Sequence, residues 1–359
     1  MLIHAIILII SILILVKSAD WFIDNASAIA QHFGISDLII GLTLVAVGTS
    51  LPELASSIAA ALSGNADIAI GNVLGSNVAN ILLVLGIASF FATLPTSKEL
   101  LDRDGIMLVF ASVFFYWILV LTRFDYFISN YTFIRFLCVL MILLFFAYLF
   151  YLTRSDKHYS KSKNFESFII YFLNAKFIKD LFILARHKNV TKEHKKEYNE
   201  HLVNKDFKKL LLKFVFLIIS CVGIIISAKF FITEAMFFAN WFGVSGGVIG
   251  LTLVALGTSL PEITVSVIAA KKGLGGIAIG NIMGSNIANI LFVGGVSLFI
   301  SPAILPRATL MYTFPFTVII SVLLLYFIKT RWKIRWTEGF IFLLLYVVFL
   351  GLIYQGIII

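Results

Sequence analysis

The chain has 359 residues, of which 60% are hydrophobic and 13% are charged, and its net charge is +9. Soluble domains are about half apolar and a quarter charged, so this composition excludes an ordinary soluble protein. The positive charge is local, because 15 of the 28 Lys and Arg residues lie between residues 154 and 213. It therefore gives no reason to expect a nucleic-acid partner.

Apolar runs of about 20 residues, long enough to cross a bilayer as a helix, recur along nearly the whole chain. We predict an all-α membrane protein with ten transmembrane helices, since barrel strands would be about half as long and would alternate in polarity. The first run has no small-residue cleavage site after it and is predicted to be a retained helix. The predicted helices span residues 2–32, 36–63, 66–92, 105–122, 129–153, 210–241, 245–270, 276–301, 307–328 and 336–357.

The predicted helices form two groups of five, residues 1–153 and 210–359, joined by a basic loop at 154–209. Positive-inside bias predicts that this loop and the basic turn Lys329–Arg335 are cytoplasmic, with both termini outside. Within the loop, Phe165–Ala185 mixes apolar and charged residues and is predicted to be an amphipathic helix on the cytoplasmic face. A linker anchored to anionic lipid is favoured there over a regulatory ligand site.

The two cysteines, Cys138 and Cys221, lie in separate apolar runs. This placement predicts neither a disulfide framework nor a metal cluster, and it carries no information on redox compartment.

An internal repeat is the strongest signal in the sequence. Adding 209 to the numbering aligns Gly41–Phe90 with Gly250–Phe299 without a gap, and 31 of the 50 paired residues are identical. Identity at a fixed offset indicates duplication. Five crossings, an odd number, separate equivalent helices, so the copies must point in opposite directions. Inverted repeats with broken helices are a transporter architecture, and a channel is the weaker interpretation.

One polar string interrupts an apolar helix in each copy. Gly48–Glu53 and Gly257–Glu262 both read GTSLPE. The proline of each string lacks an amide hydrogen and predicts a break in the helix. A glutamate at membrane depth costs a few kcal/mol and usually marks function. A protonated glutamate that only packs helices would have to occur in both copies. The carbonyls predicted to be released as ligands are those of Ala46, Thr49, Ala255 and Thr258.

A second polar string follows in each copy, at Gly71–Asn80 and at Gly280–Asn289. Its glycines allow close helix packing, which needs no ligand. A serine and an asparagine four residues apart share one helical face in each copy, so each pair is predicted to present oxygens to one site. These residues are Ser76, Asn80, Ser285 and Asn289. The remaining amides are predicted to bond opened backbone: Asn72, Asn77, Asn281 and Asn286.

Together these residues offer two carboxylates with hydroxyl, amide and carbonyl oxygens, and no histidine or cysteine joins them. An all-oxygen set suits hard cations. Calcium takes six to eight oxygens in flexible geometry, whereas magnesium tends to keep its waters. Calcium with sodium as competitor is therefore the predicted ion pair, and no cofactor is expected.

At these residues the sequence resembles the sodium/calcium exchanger branch of the cation/calcium antiporter superfamily, prokaryotic type, whose alpha-repeats carry both strings. The resemblance implies a five-plus-five inverted fold in the cell (inner) membrane, exchanging several sodium ions for one calcium ion. It implies that Glu53 and Glu262 bind both ions, and that Thr49 and Thr258 bind calcium. The sodium sites would be completed by Ser50, Ser259, Ser76, Ser285, Ala46 and Ala255.

Two further expectations follow from the resemblance. Some relatives, including potassium-dependent ones, carry an acid at the second-repeat position where this chain has Asn289, so potassium co-transport is not expected. The first helices of the two halves form a tilted gating bundle in relatives, and the runs 2–32 and 210–241 are long enough for tilt. Lys17 and Asp20, one turn apart on the first, are predicted to form an internal ion pair or a water-facing hinge and not to bind the transported ion.

The predicted function is sodium/calcium antiport by alternating access. A calcium/proton antiporter is the alternative within the same class, since two glutamates can release two protons as readily as two sodium ions. A cation channel is less favoured. An intramembrane enzyme is not expected, because no nucleophile and base are evident in the sequence.

Overall fold

Helices account for nearly all of the residues that the computed structural model describes, which are 1–123, 131–153, 164–178, 200–241, 255–302 and 309–354. In chain order they are α1 Leu2–Phe33, α2 Asp37–Thr49, α3 Leu51–Leu62, α4 Ala66–Phe91, α5 Leu100–Leu121, α6 Tyr131–Thr153, α7 Phe165–Leu173, α8 Glu200–Trp241, α9 Ala255–Thr258, α10 Leu260–Lys271, α11 Gly275–Ile300, α12 Thr309–Arg331 and α13 Trp336–Tyr354. Two short strands, β1 Leu94–Pro95 and β2 Lys333–Ile334, pair antiparallel.

Eight of these helices are long and apolar enough to cross a bilayer, and a ninth span results if the bent pair α2 and α3 is counted as one. The chain is therefore a multi-pass membrane protein, as predicted. The predicted span 36–63 breaks between α2 and α3 with a bend of 43°. The predicted span 245–270 is described only from Ala255 onward, so its first part lies outside the described residues.

The fourth span begins at Leu100, before the predicted start at residue 105. Its first turn contains Arg103 and Asp104, whose charges ended the apolar run in the sequence. The two side chains neutralise each other, with Arg103 Nε 2.7 Å from Asp104 Oδ1 and both residues buried. The Tyr148 hydroxyl also donates to Asp104. Pairing of this kind lowers the cost of burying charge, so the helix extends through it.

The long helices α1 and α8 pack together antiparallel. His4, near the start of α1, lies 2.7 Å from Glu234, near the end of α8. Further along, Ser18 of α1 lies against Gly223 of α8. A Cβ added at Gly223 would lie 2.5 Å from the Ser18 hydroxyl oxygen. Their outer faces carry exposed apolar side chains such as Leu13, which suit contact with lipid.

The helix α7 covers only part of the amphipathic segment that the sequence predicts. Its Phe168 is fully buried and makes edge contacts with Tyr148 and Tyr151 of α6. Ile170 and Leu173 remain exposed. One face of α7 therefore packs on α6, and the other face is exposed. Residues 179–185 of the predicted segment lie outside the described part of the chain.

Helices α2 and α11 approach at backbone distance, which brings the second copy of the glycine-rich string against α2. A Cβ added at Gly280 would lie 2.5 Å from the Leu38 carbonyl oxygen and 2.9 Å from the Leu42 nitrogen. At Gly284 it would lie 2.5 Å from the Leu42 carbonyl oxygen. Backbone atoms on both sides leave no flexible group to move, so glycine is required for this contact.

Gly280→Ala should therefore destabilise the protein, by about 1–3 kcal/mol for an overpacked interior site. Its counterpart Gly71 is the matched control, since a Cβ there meets nothing within 4 Å among the described residues. Gly71→Ala should leave stability unchanged or raise it by up to about 1 kcal/mol, because alanine is the better helix former. The measurement is the thermal melting of both variants in detergent, and equal melting temperatures would contradict this account of the contact.

Candidate cation site

The first polar string forms the same helix break in both copies. Ser50 separates α2 from α3 with φ −84° and ψ 4°, and Ser259 separates α9 from α10 with φ −87° and ψ 3°. The predicted breaks are confirmed at both positions. Each break places a proline and then a glutamate in the first turn of the following helix.

The carbonyl that the break releases differs from the prediction. The Ala46 carbonyl still accepts the backbone N–H of Ser50 at 3.0 Å, so its predicted release is wrong. A proline removes the bond to the carbonyl four residues earlier, which for Pro52 is Gly48. The thiol of Cys221 lies 3.4 Å from that Gly48 oxygen and donates to it. Ala255 occupies the position equivalent to Ala46, at the start of α9.

Glu53 and Glu262 are both completely buried. Neither carboxylate oxygen of Glu53 has a hydrogen-bond partner among the described residues, and the same holds for Glu262 Oε2. Glu262 Oε1 accepts a hydrogen bond from Ser50 Oγ at 3.4 Å, a contact between the two repeats. Buried carboxylates without partners are costly unless a charge compensates them. The unpartnered oxygens therefore make this the candidate cation site.

Hydroxyl groups from α2 and α11 converge beside these carboxylates. Thr49 Oγ1 donates to Asn281 Oδ1 at 3.0 Å and lies 3.3 Å from Ser285 Oγ. Ser285 Oγ in turn donates to the Ala46 carbonyl at 3.5 Å. Oxygens that the sequence assigned to different repeats thus lie within one cluster.

Contacts between the repeats are reciprocal. Thr49 of the first copy donates to Asn281 of the second. Thr258 Oγ1 of the second copy donates in the same way to Asn72 Oδ1 of the first, at 3.5 Å. Such exchange of partners is what a two-fold relation between two equivalent units produces.

Two serines that the sequence analysis did not single out hold the amides of the second string. Asn72 Nδ2 donates to Ser57 Oγ at 2.9 Å, and Asn281 Nδ2 donates to Ser266 Oγ at 3.0 Å. Ser57 and Ser266 are identical at the 209-residue offset and both fully buried, so the repeat alignment contained the signal that could have found them.

Four amides, those of Asn72, Asn77, Asn281 and Asn286, were predicted to bond opened backbone, and only one of them does. Asn72 Nδ2 donates to the Glu53 carbonyl oxygen at 3.3 Å, as predicted. For Asn281, the side-chain contacts are to hydroxyl groups. The prediction is wrong for Asn77 and Asn286, because both amide atoms of each are buried without a partner in the described part of the chain.

The helix changes its winding at the central asparagines. It continues there as π-helical turns at Asn80–Val84 and Asn289–Gly294. Such turns are frequent at functional sites.

All twelve predicted ligand residues lie within the described residues, and most are buried side chains around the two breaks. Ser76, Asn80, Ser259 and Asn289 are buried, and their side-chain oxygens lack partners among the described groups. Thr258 is half-buried. The set remains all-oxygen, with two carboxylates as its charged members, and such a set is suited to a hard cation.

Two buried carboxylates lie at matching helix breaks of a multi-pass helical protein, and three of their four oxygens lack partners among the described residues. This arrangement is typical of the class of cation transporters. Comparison with known proteins identifies the family. The model for the sodium/calcium exchanger protein family matches residues 3–154 and 212–355. The chain belongs to the sodium/calcium exchanger family, as the sequence motifs indicated, and is a membrane transporter and not an enzyme.

Individual relatives agree with this assignment. The chain is similar to the sodium/calcium exchanger MaX1 of Methanosarcina acetivorans, with 39% identity over 354 residues, 98% of this chain and 99% of that one. It is also similar to the inner membrane protein YrbG of Escherichia coli, with 31% identity over 305 residues, 84% and 81% of the two chains. A solved structure of the sodium-calcium exchanger NCX_Mj, soaked with Na+ and Sr2+, has a TM-score of 0.71 at 29% identity, covering 97% of both chains.

Proposed function

We propose that this chain exchanges sodium for calcium by alternating access and binds both ions between Glu53 and Glu262. The observation that carries the proposal is the burial of both carboxylates with three of their four oxygens unpartnered among the described residues. Membership of the sodium/calcium exchanger family supplies the ions. Two carboxylates offset the charge of one calcium or of two sodium ions, so a shared site makes the two ions mutually exclusive.

The proposed architecture is ten transmembrane helices in two inverted repeats, residues 1–153 and 210–359, joined by the loop 154–209. The equivalent helix breaks at Ser50 and Ser259 and the equivalent π turns support it. So do the reciprocal Thr–Asn contacts between the copies and the antiparallel packing of α1 on α8.

Alternating access is supported by the different surroundings of the two copies. Asn281 is fully buried, whereas its counterpart Asn72 is only half-buried. Val265 on α10 is fully buried, whereas its counterpart Ser56 on α3 is exposed. An inverted-repeat transporter reaches its opposite-facing state when one unit moves relative to the other around a fixed site. We take the present conformation as one of the two states.

Within this proposal the ligands divide by ion. The two glutamates with Thr49 and Thr258 bind calcium. The central amides contribute oxygen without charge, so no further monovalent cation is needed to balance calcium. Asn80 and Asn289 present their oxygens at the centre of the site. The remaining residues complete the sodium sites: Ser50, Ser259, Ser76, Ser285, Ala46 and Ala255.

The proposed location is the cell (inner) membrane, with the central loop in the cytoplasm and both termini outside. The concentration of Lys and Arg in residues 154–213 supports this orientation. The similarity to an inner membrane protein of Escherichia coli supports the compartment.

Calcium uptake into proteoliposomes tests the function. We expect an outward sodium gradient to drive uptake of 45Ca2+, and a proton gradient of equal size without sodium to drive none. Protein-free vesicles are the control. Uptake driven only by the proton gradient would replace this proposal by calcium/proton antiport, and uptake that needs no counter-ion would indicate a channel.

A further inference from the structure

A charged cluster joins α1 to the end of α10. Lys272 Nζ lies 2.6 Å from a carboxylate oxygen of Asp20 and 2.6 Å from one of Asp24. It also donates to the Asp20 carbonyl at 3.1 Å. On the same helix, Lys17 Nζ lies 3.4 Å from the other Asp20 oxygen, which confirms the predicted ion pair. We call Lys272, Asp20 and Asp24 the Lys272 clamp.

The clamp connects two parts that alternating access requires to move relative to each other. Asp20 and Asp24 lie on α1, which packs along α8 as the paired long helices. Lys272 follows α10, the helix that carries Glu262, and Gly273 with φ 76° turns the chain towards α11. Burial by itself would lower the pKa of Lys272, but hydrogen bonds to the two aspartates raise it, so the ammonium stays charged.

The opposite end of the molecule lacks the charges for an equivalent clamp. The 209-residue register extends into α1 and α8, where Ala19, Phe22, Ile23, Ala26 and Ala30 are identical to Ala228, Phe231, Ile232, Ala235 and Ala239. In this register Asp20 corresponds to Lys229, Asp24 to Thr233 and Lys272 to Ser63. A serine facing a lysine and a threonine forms no ion pair.

We propose that the Lys272 clamp stabilises the present conformation over the opposite-facing one, which has no clamp of its own. The inference rests on the proposed alternating access, because the clamp can change the ratio of two states only if the protein exchanges between them. Inverted repeats would otherwise make the two states nearly equivalent at this contact. The ion pairs are partly exposed, with side-chain exposures of 26% for Lys272, 32% for Asp20 and 57% for Asp24. Their effect on the population ratio is therefore about two- to tenfold.

The ratio can be read from one pair of reporter cysteines. Ser56 is exposed and its counterpart Val265 is fully buried in the present conformation, and the repeat predicts the reverse in the other state. Ser56→Cys and Val265→Cys, each introduced after replacement of Cys138 and Cys221, are labelled with a membrane-impermeant maleimide. We expect Lys272→Gln to slow labelling at residue 56 and to speed it at residue 265, by about two- to tenfold.

Three further variants make the result specific. Ser63→Glu places a carboxylate opposite Lys229 in the other state and should shift both reporters in the same directions as Lys272→Gln. Lys272→Arg keeps the charge and should leave them unchanged. Lys271→Gln removes the same charge from the neighbouring residue, whose ammonium lies 4.4 Å from the Phe91 ring centre, and should also leave them unchanged.

Faster labelling at both reporters would indicate loosening of the fold and would overturn the clamp. Unchanged labelling in Lys272→Gln, or equal shifts in Lys271→Gln, would overturn it as well. Sodium-driven calcium uptake is measured in the same vesicles to separate the two proposals. Wild-type vesicles without uptake contradict the proposed function, whereas normal uptake with unmoved reporters contradicts the clamp alone.

Discussion

Glu53→Gln and Glu262→Gln should each abolish sodium-driven calcium uptake while the protein still inserts and folds. Glutamine keeps the shape of the side chain and removes one of the two charges that balance calcium. Loss of one member of a buried charge pair costs about 3–5 kcal/mol. Calcium binding should therefore weaken by about a hundredfold or more, since every 1.4 kcal/mol is tenfold in affinity.

The folded state should tolerate these two changes. In the absence of ion, glutamine removes the repulsion between two buried carboxylates, so thermal stability should stay the same or rise. Added calcium should then raise the melting temperature of the wild-type protein but not of either variant. Melting curves with and without calcium, measured beside uptake, separate loss of binding from loss of fold.

Glu234→Gln is the matched control for a buried carboxylate. Glu234 is 6% exposed in α8 and is paired with His4, away from the helix breaks. The same substitution there should leave uptake close to the wild-type rate. If Glu53→Gln or Glu262→Gln exchanged calcium as fast as this control, that glutamate would be structural and the proposed site would be wrong.

Asn289→Asp should make exchange newly dependent on pH or on a further cation. Asn289 is completely buried, and both of its amide atoms lack partners among the described residues. A carboxylate there would add a third negative charge to the proposed site, where one calcium ion balances the two glutamates. A buried charge of this kind must be neutralised, so the variant needs a proton or a monovalent cation in addition to calcium.

The expected result is calcium uptake that falls between pH 6 and pH 8 and recovers when potassium is added. A single titrating group can change the rate by at most about tenfold per pH unit. Asn174→Asp is the control, because it adds the same charge at an exposed position that follows α7. Rates in Asn289→Asp that match this control at every pH, with and without potassium, would remove Asn289 from the ion site.

Much of the candidate site could be predicted from the sequence because the repeat presents it twice. Glu53 and Glu262 lie in identical strings within apolar helices. Each copy therefore supports a functional role for the glutamate of the other. The helix breaks followed from proline chemistry, which is local to a few residues. The prediction of the freed carbonyl was wrong. It named the carbonyl of Ala46, whereas Pro52 has no N–H to bond the carbonyl of Gly48.

Side-chain partners were the least predictable part. The prediction for Asn77 and Asn286 failed because an amide reaches an opened carbonyl only where helix packing brings the two together, and local sequence patterns do not give that distance. Arg103 and Asp104 were read as the edge of a helix, although their mutual pairing places them inside it.

The residues alone were enough to predict a helical, membrane-embedded and duplicated protein with two glutamates inside apolar helices. Those properties depend on the hydrophobicity of each run and on identity at a fixed offset, and both belong to the chain before it folds. The packed helices were needed to see which oxygens lack partners among the described residues and which distant groups meet. Lys272 reaches Asp20 across 252 positions of sequence, and such a contact depends on how helices pack in space, which local patterns do not encode.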